Sequence, residues 1–182
     1  MPEESLTDLS RRRLVKVGTA AALGIRGTTL AGQSVVSKPP EEDKPQLEFL
    51  MEIALDVPGG KSTHVVGFPG GERLTVSVTG GTFQGPKLKG IALAPSGDWL
   101  VRRPDGSSVL DVRTTLQTDD EQLIYLSYRG IMYTPKGGKL YWRTIPMFET
   151  GAEKYAWLNH IVCVGTGVPT PGKAVYRIFQ VL

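Results

Sequence analysis

Cysteine is almost absent from this chain. Cys163 is the single one in 182 residues, which excludes an intrachain disulfide and any metal centre built from paired thiolates. It lies in an apolar run, where a lone thiol serves as a small buried hydrophobe. Histidine is scarce too. His64 and His160 are the only two, and without an HExxH or comparable spacing no metal site is expected. No run approaches the roughly 20 apolar residues of a membrane-spanning helix. Charge of one sign is also lacking in the bulk of the chain. The formal net charge is +3, but residues 1–33 hold five Lys/Arg against three acids, leaving the remainder close to neutral. Nucleic acid is therefore not an expected partner, since phosphate binding needs a concentrated basic footprint.

What is present begins with that basic start. Ser10-Arg11-Arg12-Arg13-Leu14-Val15-Lys16 resembles a twin-arginine export signal, followed by a moderately apolar, Ala- and Gly-rich stretch from Val17 to Leu30. Arg26 interrupts that stretch, and Thr29-Leu30-Ala31-Gly32 is a poor small-x-small cleavage site. The expectation is an export leader over 1–33, cut near Ala31, giving a periplasmic or secreted protein. A leader that does not function leaves it cytoplasmic. Residues 34–45 (SVVSKPPEEDKP) have three prolines and no apolar period, which reads as a linker without structure of its own.

Glycine and proline, 22 and 13 residues, are plentiful and scattered, as in many short strands joined by tight turns. From Leu47 the pattern has period two: Leu47, Phe49, Met51, Ile53, Leu55 and Val57 alternate with more polar neighbours. Further strand-like runs cover 73–79, 87–94, 109–118, 122–133, 140–145, 155–165 and 175–182, with turn clusters such as Pro95-Ser96-Gly97-Asp98 and Pro135-Lys136-Gly137-Gly138 between them. The body, 46–182, thus reads as an all-β domain: a closed, up-and-down antiparallel barrel of about eight strands. Closure removes exposed sheet edges, and such a barrel holds packed side chains or one small ligand. A sandwich is the alternative.

In 109–118, Leu110, Val112, Thr114 and Leu116 make an adequate core face, and Asp111 and Arg113 occupy the other. Arg129 and Arg143 fall similarly in later runs, with aromatic residues Tyr125, Trp142 and Trp157. Charged residues on strands ordinarily point to solvent. The functional reading turns them inward, where Arg113, Arg129 and Arg143 would meet Asp111, Glu149 or an anionic ligand in a polar-lined lumen. His160 points away from such a face, and His64 has no identifiable partner. Gly80-Gly81-Thr82-Phe83-Gln84-Gly85-Pro86 lacks the Gly-Lys-Ser/Thr ending of a phosphate loop, so its glycines are expected to permit a bend.

Segments across the body, among them GGTFQGPKLKG at 80–90, Asp98-Trp99, RPDG at 103–106, Leu110-Asp111-Val112-Arg113, Tyr141-Trp142-Arg143-Thr144, FETG at 148–151 and YAWLN at 155–159, resemble domain-of-unknown-function family 3237, also called UPF0311. The resemblance implies a closed barrel similar to the allene oxide cyclase and lipocalin type, and no reaction. Gln84 stands where the family pattern favours Glu, which would alter any chemistry resting on that acid.

Two functions are expected from this pattern. The first is a small-molecule enzyme without metal or organic cofactor, performing isomerisation, cyclisation or lyase-type elimination. Asp111 or Glu149 would move protons, Arg113, Arg129 and Arg143 would hold negative charge, and Tyr125, Trp157 and Asn159 would position the substrate. The second is a non-catalytic small-molecule-binding module of the periplasm. A structural domain with a packed interior is the third option. Small barrels also associate through apolar outer faces, so a homo-oligomer is compatible with the pattern.

Overall fold

A computed structural model describes residues 38–59 and 62–182. The expected export leader, 1–33, and the start of the linker lie outside the described residues. Within 38–45, Glu41–Asp43 forms a single 3-10 turn, one element more than the linker expectation allowed.

Eleven strand segments follow: β1 Leu47–Asp56, β2 Ser62–Phe68, β3 Gly71–Val78, β4 Gly80–Gln84, β5 Lys89–Asp98, β6 Val101–Arg102, β7 Ser108–Thr118, β8 Leu123–Tyr133, β9 Tyr141–Glu149, β10 Cys163–Thr170 and β11 Lys173–Val181. All pairings are antiparallel. They run β1–β4–β5–β7–β8–β9–β10–β11 and return to β1, which closes the sheet into a barrel. β3 pairs with the end of β5 and with β6, and β2 hangs on β3 as a terminal hairpin strand. The segments outnumber the eight expected for two reasons. Ser62–Phe68 pairs with β3 across a Pro69-Gly70 turn where a loop was expected. Gly80–Gln84 and Val101–Arg102 are also strands, where a bend and the approach to a turn were expected.

Alternation sorts the side chains strictly in the best-paired strands. Leu110, Val112, Thr114 and Leu116 of β7, Ile124, Leu126 and Tyr128 of β8, and Trp142, Thr144, Pro146 and Phe148 of β9 are all buried. Strand β1 departs from simple alternation. A bulge between Phe49 and Met51 turns both Leu50 and Met51 inward, because one extra residue reverses the face of everything before it. Leu47 and Phe49 therefore lie outside, where Phe49 meets Phe179 edge-on at 5.7 Å.

The run 155–160 is not a strand. Glu153–His160 is a 3-10 segment whose buried residues are Tyr155 and Leu158. Their spacing of three matches the 3-10 period, in which positions i and i+3 eclipse. The segment closes the barrel end at which β7 and β9 finish and β8 and β10 begin. There the Tyr155 hydroxyl donates to Asp120 at 2.9 Å, Thr118 Oγ1 donates to the same carboxylate at 2.5 Å, and Lys154 Nζ reaches it at 2.6 Å. These donors, Lys154 first, hold the Asp120 carboxyl well below its usual range. Cys163 is buried, and burial pushes its thiol up to about 11, so it is protonated at neutral pH.

Candidate functional site

The same alternation that buries Leu110 and Tyr128 sends the expected site residues outward. Asp111, Arg113, Tyr125, Arg129, Arg143 and Glu149 all point away from the lumen, which corrects the inward reading. The physical cause is parity: with period two, only one face of each strand can line the interior, and the apolar set takes it. On the outer face Arg113 Nη2 pairs with Asp111 at 3.2 Å and stacks over Trp99 at 5.1 Å. Arg143 donates to the carbonyl of Trp142 at 2.9 Å and lies over Tyr141. Arg129 sits directly across from Asp111, and Glu149 directly across from Tyr125.

Asp111 and Glu149 do not converge. In the register they occupy rows four residues apart, about 13 Å along the strands. Asn159 is engaged by the backbone instead. Its Oδ1 accepts from Thr150 N–H and its Nδ2 donates to Thr150 O, both at 2.9 Å, clasping the β9 exit. Trp157 packs against the core edge with Lys87 Nζ 5.5 Å from its ring. Gln84 is exposed at the end of β4, with Glu52 and Lys89 as its cross-strand neighbours.

The interior offers a different set of groups. At the end opposite the 3-10 segment lies a cavity of about 140 Å³. Half-buried Val57, Val76, Leu100, Met132 and Ala174 form its rim, and Asp98, Tyr128, Trp142 and Tyr176 lie deeper. Trp142 and Tyr128 each pack edge-on against Tyr176, with ring centroids at 5.2 and 5.0 Å. Gly167 makes room for the indole, since a Cβ there would fall 2.3 Å from a Trp142 ring atom.

The polar groups of this cavity are poorly compensated. Asp98 Oδ1 accepts the Asp111 backbone N–H at 2.9 Å, and no Lys, Arg or His pairs with it among the described residues. Burial, reinforced by the nearby Asp111 carboxylate, pushes its carboxyl up to about 6. Burial also raises the phenols of Tyr128 and Tyr176, so both stay protonated. Tyr128 Oη and Trp142 Nε1 are buried without any hydrogen-bond partner, as is Thr144 Oγ1. The first two lie close enough to the Tyr176 hydroxyl to bear on its ionisation, yet neither makes a hydrogen bond of proper geometry to it. Unpaired buried groups are rare in folded proteins, and each costs about 1–3 kcal/mol.

Among the described residues, no three or more His, Cys, Asp or Glu side chains are grouped so that they could hold a metal ion. Sequence reasoning named Trp142 as an aromatic wall but passed over its neighbours. Asp98 was absorbed into a turn cluster, although it terminates β5. Tyr128 and Tyr176 occupy inward positions of their strands, and that was the available signal.

The sequence model of the family described as protein of unknown function DUF3237 matches residues 45–181. A UPF0311 protein of Rhodopseudomonas palustris is 30% identical over 125 residues, spanning 62% of this chain and 82% of the relative. A UPF0311 protein of Clostridium acetobutylicum is 34% identical over 114 residues, 54% of this chain and 72% of the relative. Among solved structures, a β-barrel-like protein of Acinetobacter baumannii superposes with a TM-score of 0.72 at 29% identity, covering 81% of this chain and 99% of that one.

Proposed function

The chain belongs to the DUF3237 family of proteins of unknown function, and on that premise we propose that it is a small-molecule barrel protein whose ligand occupies the cavity at the open end, with Asp98 as the proton-moving group. The observation that carries this reading is a buried carboxyl without a cation, beside two buried donors without acceptors. Perturbed carboxyls in concave sites are the usual mark of function, because a base with a pKa near neutrality both takes and returns a proton readily. The reaction class is unchanged from the sequence reading, namely isomerisation, cyclisation or elimination without metal or organic cofactor, but its proton carrier moves from Asp111 and Glu149 to Asp98. The cavity volume supports a ring-sized ligand, since an engineered cavity of about 150 Å³ holds benzene.

Cyclohexanone in D₂O tests both halves. Wild-type protein is expected to accelerate α-deuteration, read by NMR. Asp98→Asn is expected to return it to the buffer rate, and Glu149→Gln to leave it unchanged. Acceleration that survives Asp98→Asn removes the assignment. Binding without any acceleration favours a non-catalytic module, the second reading, which rests on the same cavity.

We propose further that residues 1–33 export the protein, on the strength of Arg11, Arg12 and Arg13 ahead of an Ala/Gly-rich stretch. In a bacterial host, changing these three arginines to lysine should shift the product from periplasm to cytoplasm; equal fractions in both cases refute it.

A further inference from the structure

We infer that the cavity selects an uncharged, ring-sized carbonyl compound, whose oxygen accepts hydrogen bonds from Tyr128 and Trp142; this rests on the cavity being the ligand site. Tyr128 and Trp142 are 3% and 7% exposed, and neither polar tip makes a hydrogen bond of proper geometry, although the Tyr176 hydroxyl lies near both. An indole Nε1 can only donate, so a ligand that brings an acceptor to Trp142 makes a bond of proper geometry that the Tyr176 hydroxyl does not. A phenol hydroxyl can also donate, and both rings stand against the same face-forming residue, Tyr176. Two donors on the cavity wall, both beside the Tyr176 hydroxyl, suit one carbonyl oxygen, which has two lone pairs, and they gain strength as that oxygen becomes more negative in an enolate.

Charge complementarity excludes the other ring-sized classes. A carboxylate ligand would meet Asp98, which has no compensating cation among the described residues. An ammonium ligand would pair with Asp98 but leave the Trp142 N–H without an acceptor, retaining the penalty of an unmade buried bond. The rest of the lining is aliphatic, including Leu110 and Val112, which favours an apolar ring over a polyol.

Toluene, benzaldehyde, benzoate and benzylamine share one ring and differ in the group presented. Each is titrated at pH 7.5 against the Trp99→Phe/Trp157→Phe protein, in which Trp142 is the sole tryptophan, and its fluorescence is followed. Benzaldehyde should bind at least about tenfold more tightly than toluene, one good hydrogen bond's worth, with benzoate and benzylamine weakest. Adding Tyr128→Phe should shrink the benzaldehyde advantage about fivefold while leaving toluene unchanged. That variant removes an unpaired hydroxyl, so its thermal midpoint should not fall. Equal binding of toluene and benzaldehyde overturns the carbonyl assignment and leaves the cavity standing, the result expected if the two donors hold only a water molecule. Tighter binding of benzylamine overturns it as well. If none of the four binds, the cavity reading fails with it.

Discussion

Asp98→Asn should make the protein more stable at neutral pH, even though the residue is central to the proposed site. In the unfolded chain the carboxyl titrates near 3.8, and burial raises it to about 6 in the folded one. A carboxyl whose folded pKa is raised binds its proton more tightly in the native state. Its contribution is therefore fully favourable below pH 3.8 and is lost as pH climbs through 6. A difference of roughly two pH units is worth about 3 kcal/mol, at about 1.4 kcal/mol per unit. Asparagine keeps an oxygen that can accept the Asp111 N–H and carries no charge at any pH. The wild type and variant should thus be nearly equal at pH 4, and the variant should gain about 3 kcal/mol by pH 8. Asp111, Tyr128 and Tyr176, the titratable groups around Asp98, are common to both proteins and largely cancel in the difference. Urea denaturation at half-unit steps from pH 4 to 8, with the m-value held constant, reads the gap directly. A difference that is flat across the range would show that Asp98 is not desolvated as described, and the acid/base assignment would lose its physical basis.

Two further substitutions test the supporting structure. Gly167→Ala places a methyl group 2.3 Å from a Trp142 ring atom, so it should cost about 1–3 kcal/mol and alter the near-ultraviolet circular dichroism; an unchanged melting temperature and spectrum would mean that the indole is not seated against β10. Asn159→Ala removes both hydrogen bonds to Thr150 and should cost about 1–2 kcal/mol without changing benzaldehyde affinity, because Asn159 belongs to the closed end; a loss of affinity at unchanged stability would return it to the binding set.

The fold was legible where strands alternate without interruption. In β7, Leu110, Val112, Thr114 and Leu116 already separate from Asp111 and Arg113 in the sequence, and the structure keeps them on opposite faces. What alternation does not carry is a bulge, because the extra residue at Leu50 breaks no hydrophobic rule: leucine, methionine and phenylalanine suit either face. Nor does it separate a 3-10 segment from a strand over so short a span. Tyr155, Trp157 and Asn159 imitate period two, while the buried pair, Tyr155 and Leu158, obeys period three. The outward placement of the expected site residues has a related cause. Charged side chains were expected in the lumen as a row, whereas among the described residues Asp98 alone is a buried carboxyl, at a strand end that resembles a turn.

The two ends of the barrel treat an aspartate differently, exposed Asp120 at one and buried Asp98 at the other. Each end carries an aspartate beside a buried tyrosine. At the closed end, Asp120 receives the Tyr155 hydroxyl, the Thr118 hydroxyl and the Lys154 ammonium, and its charge is stabilised. At the opposite end, Asp98 receives one backbone N–H, its carboxyl is pushed up, and the Tyr128 hydroxyl makes no hydrogen bond of proper geometry. Leaving the second pair unsatisfied costs several kcal/mol, a large fraction of the roughly 5–15 kcal/mol by which domains are stable. On the proposed reading, a ligand that supplies the missing acceptor recovers part of that cost on binding.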